Sequence, residues 1–175
     1  FHVKPEYIDL WKKFQKTLKQ RNAAIKAHRY PQEITSWDSY LVDYGNAINS
    51  LREAYVKDLE PVVKAMMKKL LHKHDNITLD YSKGWENNQT LDEALQNSLT
   101  KDLKYGYTQI GPQRADLSIN YNGTPIQEHF SQGQQKLMIY SLKLAQGQHL
   151  QKINERNTIL LIDDLPSELD SQKQA

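Results

Sequence analysis

The sequence contains no cysteine. Disulfide bridges and thiolate-held zinc are therefore excluded, which fits a reducing compartment. No apolar run approaches the roughly 18 residues needed to span a bilayer. Glycine is scarce, seven in 175 residues, and none begins a G-x-x-x-x-G-K-[ST] loop. Without that loop there is no backbone cradle for the α/β-phosphates of a nucleotide and no lysine for the β/γ-phosphates. The net charge is only +2, so bulk charge does not by itself announce nucleic acid. The six histidines form no H-E-x-x-H set. Hydrophobic residues make up 38% and the mean hydropathy is -0.77, which implies much solvated helix around a limited core.

What is present divides by periodicity. From Pro5 to about Ala27, Tyr7, Trp11, Phe14, Leu18, Arg21 and Ile25 recur at alternating steps of four and three, a helical stripe. Arg29-Tyr30-Pro31 breaks it. Ser36 or Asp38 can cap a second helix. Its stripe is Trp37, Leu41, Tyr44, Ile48, Leu51 and Tyr55, continuing through Leu59, Val62, Met66 and Leu70, with Pro61 expected to kink or split it. Two such helices on a short loop predict an antiparallel helical hairpin with an aromatic contact face. Beyond residue 76 the period becomes two: Ile77, Leu79 and Tyr81 read as one strand, Leu117, Ile119 and Tyr121 as another. Asn122-Gly123 is a type I′ hairpin dipeptide. Thr90-Leu91-Asp92-Glu93 is a capping box ahead of a helix whose buried face is Leu91, Leu95 and Leu99. The expected architecture is α+β: an antiparallel helical hairpin lobe over 1–75 and a second, head-like lobe over 76–175.

Three segments carry chemistry. Ser131-Gln132-Gly133-Gln134 opens a helix expected over about Gln132–Gln148. A helix N-terminus presents unpaired N–H groups and partial positive charge, and a glycine there lets an anion approach closely. Thr158–Asp163 reads as a buried strand running into two acids, Asp163 and Asp164. Carboxylates at such an edge are costly to bury unless they meet a cation or a donor. Ser167-Glu168-Leu169-Asp170 follows directly. Taken singly, these are a capped helix, an acidic strand end and another N-cap. In this order and at this spacing they resemble the C-terminal half of an ABC-type ATPase site.

Within that class the residues resemble the RecF family. Ser131-Gln132-Gly133-Gln134-Gln135-Lys136-Leu137 and Leu144-Ala145-Gln146-Gly147 look like its signature region. Gly106-Tyr107-Thr108-Gln109-Ile110-Gly111-Pro112-Gln113-Arg114-Ala115-Asp116-Leu117 resembles its G-Y-T-x-x-G-P-H-R-A-D-L stretch, with Gln113 in place of His. Leu161-Ile162-Asp163-Asp164-Leu165-Pro166-Ser167-Glu168-Leu169-Asp170 resembles L-I-D-D-x-x-S-E-L-D, with Pro166 in place of a commoner Ala. Gln132 replaces a commoner Arg, removing a positive charge beside the expected phosphate. Trp11 and Leu18-Lys19-Gln20-Arg21-Asn22 fit the family's N-terminal pattern, so the resemblance spans nearly the whole chain.

The resemblance implies a partial ABC-ATPase head and an ATP-driven homodimer that clamps DNA. In such a dimer Ser131, Gly133 and Gln134 would reach the γ-phosphate held by the other subunit. Asp163 would hold Mg2+, Asp164 would polarise the attacking water, and Ser167 and Asp170 would form the D-loop. It further implies a cytoplasmic protein acting in recombinational repair and replication restart at single-strand gaps, with RecO and RecR as partners. The chain opens at Phe1 and stops at Ala175 soon after the acidic motif, so the expectation is a piece that does not hydrolyse ATP alone. Two other readings stay open: a head of another SMC-like ATPase, which the short hairpin disfavours, and a non-enzymatic helical interaction module.

DNA contact also has support from the residues themselves. The first helix carries Lys12, Lys13, Lys16, Lys19, Arg21 and Lys26, with no acid after Asp9 until Glu33. Lys12, Lys16, Lys19 and Lys26 are spaced by four, three and seven residues and share one face. Such a stripe neutralises phosphates without reading sequence. A solvated helix face is the plainer alternative.

Overall fold

The computed structural model describes residues 4–71, 76–154, 159 and 161. Among the described residues five α-helices and three strands run in the order α1 (Glu6–Lys26), α2 (Pro31–Thr35), α3 (Asp38–Leu71), β1 (Ile77–Ser82), α4 (Leu91–Tyr105), β2 (Asp116–Tyr121), β3 (Thr124–Pro125) and α5 (Gln132–Asn154). The class is α+β, as expected. Packing divides the chain into two compact units that interleave in sequence: 1–54 with 81–117, and 55–80 with 118–175.

In the first unit, α1 buries Phe14, Leu18, Arg21 and Ile25, the predicted stripe. Phe14 and Leu18 join Leu41 and Ile48 of α3, Trp85, and Leu91, Ala94 and Leu95 of α4 in one core. The aromatic residues of α1 stack along the helix, Tyr7 on Trp11 and Trp11 on Phe14, with ring centroids 6.4 and 5.8 Å apart. α4 begins at the predicted capping box: Glu93 N–H donates to Thr90 Oγ1 at 3.2 Å, and Thr90 N–H donates to Glu93 Oε2 at 2.8 Å. It ends at Gly106, in the left-handed conformation that glycine favours. Its inner face differs slightly from expectation: Ser98 and Asp102 are buried, and Leu99 only partly.

The second unit packs Leu59, Val63 and Met67 of α3 against Ile77 and Leu79 of β1, Ile126, Phe130, and Leu137, Met138 and Ala145 of α5. The sheet order is β1-β2-β3. Asn122 N–H donates to Asn76 O at one end of β1, and Ser118 Oγ donates to Asp80 O towards the other, an antiparallel pairing. β2 and β3 pair antiparallel, Asn120 with Pro125 and Tyr121 with Thr124. Asn122 (φ 52°) and Gly123 (φ 82°) both have positive φ, as a type I′ turn requires.

Three expectations are corrected. Pro61 does not split α3, which continues from Asp38 to Leu71. Past Leu59 the stripe moves: Val63 and Met67 are fully buried, while Val62, Met66 and Leu70 are partly so. A helix of 3.6 residues per turn drifts away from a 3.5-residue stripe, so a step of four repeats where the packing partner changes. Neither Ser36 nor Asp38 caps α3 through its side chain; Ser36 Oγ donates back to Glu33 O and Asp38 pairs with Arg21. The strand expected at Thr158–Asp163 falls mostly outside the described residues, which include only its Ile159 and Leu161. They are 85% and 95% exposed and outside any strand.

Candidate functional site

The N-terminus of α5 is built from its neighbours inward. Phe130 is buried in the second unit's core and fixes where the chain enters the helix. Gln135 Nε2 donates to Phe130 O at 2.9 Å. Ser131 and Gln134 cap each other: Gln134 N–H donates to Ser131 Oγ at 3.3 Å, and Ser131 N–H donates to Gln134 Oε1 at 2.9 Å. This is a capping box with glutamine at its third position. It engages the two side chains that were expected to face a phosphate.

The backbone around Gly133 remains open. Ser131, Gln132 and Gly133 are exposed, and a Cβ placed on Gly133 would meet nothing within 4 Å. The N–H groups of the first turn lack helical acceptors, so this end suits an anion that approaches the backbone.

Asp163, Asp164, Ser167 and Asp170 lie outside the described residues. Among the described residues no group of three or more histidine, aspartate or glutamate side chains could hold a metal ion. The lysines of α1 are placed as the spacing predicts: Lys12, Lys16, Lys19 and Lys26 are all exposed. A shallow groove passes Lys16, Lys19, Asn22 and Lys26.

Arg21 does not belong with them. It is 0% exposed. Its Nε donates to Asp38 Oδ1 at 2.6 Å, and its Nη1 donates to Asp102 Oδ2 at 2.6 Å and to Thr108 Oγ1 at 2.8 Å. Asp102 in turn accepts from Gln109 N–H at 2.8 Å and Ser98 Oγ at 3.2 Å. Asn22 Oδ1 accepts from both the N–H and the hydroxyl of Thr108, at 2.8 and 2.7 Å. One buried network thus ties α1 to the start of α3, to α4 and to the Gly106–Leu117 segment. Burial pushes the Asp38 carboxyl above its ordinary value and outweighs the Arg21 guanidinium beside it. The ion pair is short, but desolvation is the larger effect on that carboxyl.

The sequence held one signal for this network. Arg21 occupies an apolar-stripe position, and a charge there must find partners when buried. Asp38 and Asp102 stand 17 and 81 residues away, and nothing in the pattern selects them over other acids.

The rest of that segment is ordered in the same way. Arg52 Nε donates to the Tyr7 hydroxyl at 2.9 Å and its Nη1 to Pro112 O at 2.6 Å. Gln113 Nε2 donates to Ile110 O at 2.8 Å. Arg114 does not pair with Asp116, whose carboxylate accepts Leu117 N–H at 2.9 Å; its guanidinium lies 5.4 Å over the Tyr107 ring centroid.

No family model matches this chain. Among curated proteins it is similar to the DNA replication and repair protein RecF of Coxiella burnetii (strain CbuG_Q212), 44% identical over 174 residues, covering 99% of this chain and 48% of that protein. It is 41% identical to the RecF of Nitrosococcus oceani and 40% identical to that of Vibrio cholerae (strain Classical Ogawa 395), again covering 48% of each. The chain thus spans about half the length of these relatives. Among solved structures it is similar to the recombination mediator protein RecF with ATP in the RecFOR pathway, with TM-score 0.82 and 29% identity, covering 98% of this chain and 49% of that one. The ATPrS form of that protein gives TM-score 0.85 and 28% identity.

Proposed function

This chain belongs to the RecF family, and on that premise we propose that it supplies the signature half of an ATP-dependent DNA-binding protein of recombinational repair. The observation that carries the reading is the exposed, glycine-bearing N-terminus of α5, open to an anion at Gly133. Nucleotide bound to the P-loop of one subunit would present its γ-phosphate to Ser131, Gly133 and Gln134 of the other. Gln134 and Ser131 would exchange their mutual cap for that contact. Asp163 would hold the Mg2+, Asp164 would polarise the attacking water, and Ser167 and Asp170 would form the D-loop.

The reading divides the chain at about residue 75, with a helical DNA-binding arm over 1–75 and the C-terminal part of the ATPase head over 76–175. Lys12, Lys16, Lys19 and Lys26 would hold DNA phosphates independently of sequence. ATP would favour the homodimer, and the homodimer would close on DNA at single-strand gaps. RecR and RecO are the proposed protein partners, and the cytoplasm is the proposed compartment. The neighbouring solved structures support ATP as ligand, being described as RecF with ATP and with ATPrS.

The test uses the complete protein. Gly133→Asp places a negative charge where the phosphate would arrive, while an acid in the first turn favours the helix itself. ATP-dependent dimerisation, followed by analytical ultracentrifugation, is expected to be lost with nucleotide binding intact. Asp164→Asn is expected to block turnover and spare ATP binding. Unchanged dimerisation in the first variant would remove the trans role of α5, and unchanged hydrolysis in the second would remove Asp164.

A further inference from the structure

Residues 94–115 carry three exposed cations, Lys101, Lys104 and Arg114, and their single acid, Asp102, is buried against Arg21. Gly106 reverses the chain at the end of α4 and leaves the rings on either side of it outward: Tyr105 is 58% exposed and Tyr107 40%. Each ring has a cation against it. Lys104 Nζ lies 5.7 Å from the Tyr105 centroid, and the Arg114 guanidinium lies 5.4 Å from that of Tyr107. Hydrogen bonding from Gln109 and Arg114 holds the Tyr107 phenol below its ordinary value.

This patch is anchored to the lysine face of α1. The bonds from Thr108 to Asn22 Oδ1 fix the residue next to Tyr107 on that helix. Asn22 stands three residues after Lys19 and four before Lys26, on the same side of the helix and in the same groove. Exposed cations and exposed aromatic rings therefore adjoin within one unit; Asp102 is buried against Arg21, and the exposed Asp116 beside Arg114 has its carboxylate engaged by Leu117 N–H.

We infer that this surface takes unpaired DNA bases beside a duplex: the α1 lysines hold backbone phosphates, and Tyr107 and Tyr105 stack the first bases that have left the duplex. Every base has a π-face, so such stacking tolerates any sequence, and cations at the rings add attraction for the adjoining phosphates. The inference rests on the DNA-binding reading above and adds to it the residues that distinguish a junction from plain duplex.

The experiment compares affinities of the complete protein for blunt duplex, duplex with a single-stranded extension, and single strand alone. Tyr105→Leu with Tyr107→Leu is expected to lower affinity for the junction about tenfold while duplex affinity stays within about twofold. Tyr105→Phe with Tyr107→Phe keeps the rings and is expected to keep the preference. A 2-aminopurine at the first unpaired position is expected to be quenched by the wild type and not by the leucine variant. Equal loss on duplex and junction, or no change on either, overturns the inference. So does intact DNA binding with weakened capture of RecR, which would make the patch a protein-docking surface. Reversal of Lys16, Lys19 and Lys26 to Glu is the separate control: if it leaves all three affinities unchanged, the DNA-binding reading itself falls.

Discussion

The first unit buries a full positive charge and two carboxylates at the meeting point of its helices. The second, among its described residues, buries no lysine, arginine, aspartate or glutamate; its inner polar groups are Ser141 and His149. Ser141 satisfies itself on its own helix, donating to Leu137 O at 2.8 Å. His149 packs edge-on to Tyr55 with ring centroids 5.4 Å apart. The units therefore depend on different physics. An apolar core loses stability in proportion to the volume removed. A buried ionic network loses it when one partner is taken from the others. The ionic network also selects one arrangement, because Arg21 meets Asp38, Asp102 and Thr108 together in a single geometry.

The sharpest way to break this comparison is Arg21→Met. It leaves two carboxylates buried without a cation and is expected to cost about 3–5 kcal/mol in urea unfolding. Replacing Arg21, Asp38 and Asp102 together with apolar residues is expected to recover most of that loss. A cost of the single variant below about 1 kcal/mol would mean the network holds nothing together. The counterpart in the second unit is Met67→Ala, at a wholly buried position. It is expected to cost about 2–5 kcal/mol, with no polar substitution elsewhere able to restore it. Rescue by such a substitution would erase the contrast between the units.

Backbone geometry gives a smaller effect. Gly84 has φ 95°, and a Cβ there would stand 2.2 Å from Gly111 O. Gly84→Ala is expected to cost about 1–3 kcal/mol, read as a lower melting temperature of the folded chain. A melting temperature equal to that of the wild type would show that the turn relaxes freely.

The smallest effect separates the two helix caps. The Thr90–Glu93 box contains a charge and the Ser131–Gln134 box does not. Hydrogen bonds from the Thr90 N–H and hydroxyl hold the Glu93 carboxyl below its usual 4.5. A depressed carboxylate contributes stability above the unfolded value and loses it as pH falls through the folded one. Thr90→Ala should therefore destabilise the chain at neutral pH and do so less as pH falls through the lowered Glu93 range, whereas Ser131→Ala should show no such pH dependence. Parallel pH profiles for the two variants would contradict the assignment of charge to only one cap.

Local order was legible from residues alone. The α1 stripe, the Thr90–Glu93 box, the Asn122-Gly123 turn and the start of α5 each depend on neighbours within a few positions. Their chemistry acts at that range through helical period, capping and left-handed backbone. The candidate site was legible in the same measure: Gly133 is open and the α1 lysines are exposed, because a helix N-terminus and a helix face are local objects. A capped start to α5 was one of the readings of that segment; the return bond from Ser131 N–H to Gln134 was not foreseen, although the same motif was recognised at Thr90 and Glu93, and glutamine can take the role of glutamate there.

What the sequence by itself determined, then, was which residues form which elements and which chemistry their ends and faces can offer. Only the tertiary structure decided the fate of Arg21. Its helical position said that it must be inward, but Asp38 and Asp102 reach it through chain paths that no periodicity encodes. The change of buried register in α3 past Leu59 has the same origin. A helix exposes all its faces equally until something packs on it, so the partner chooses the face.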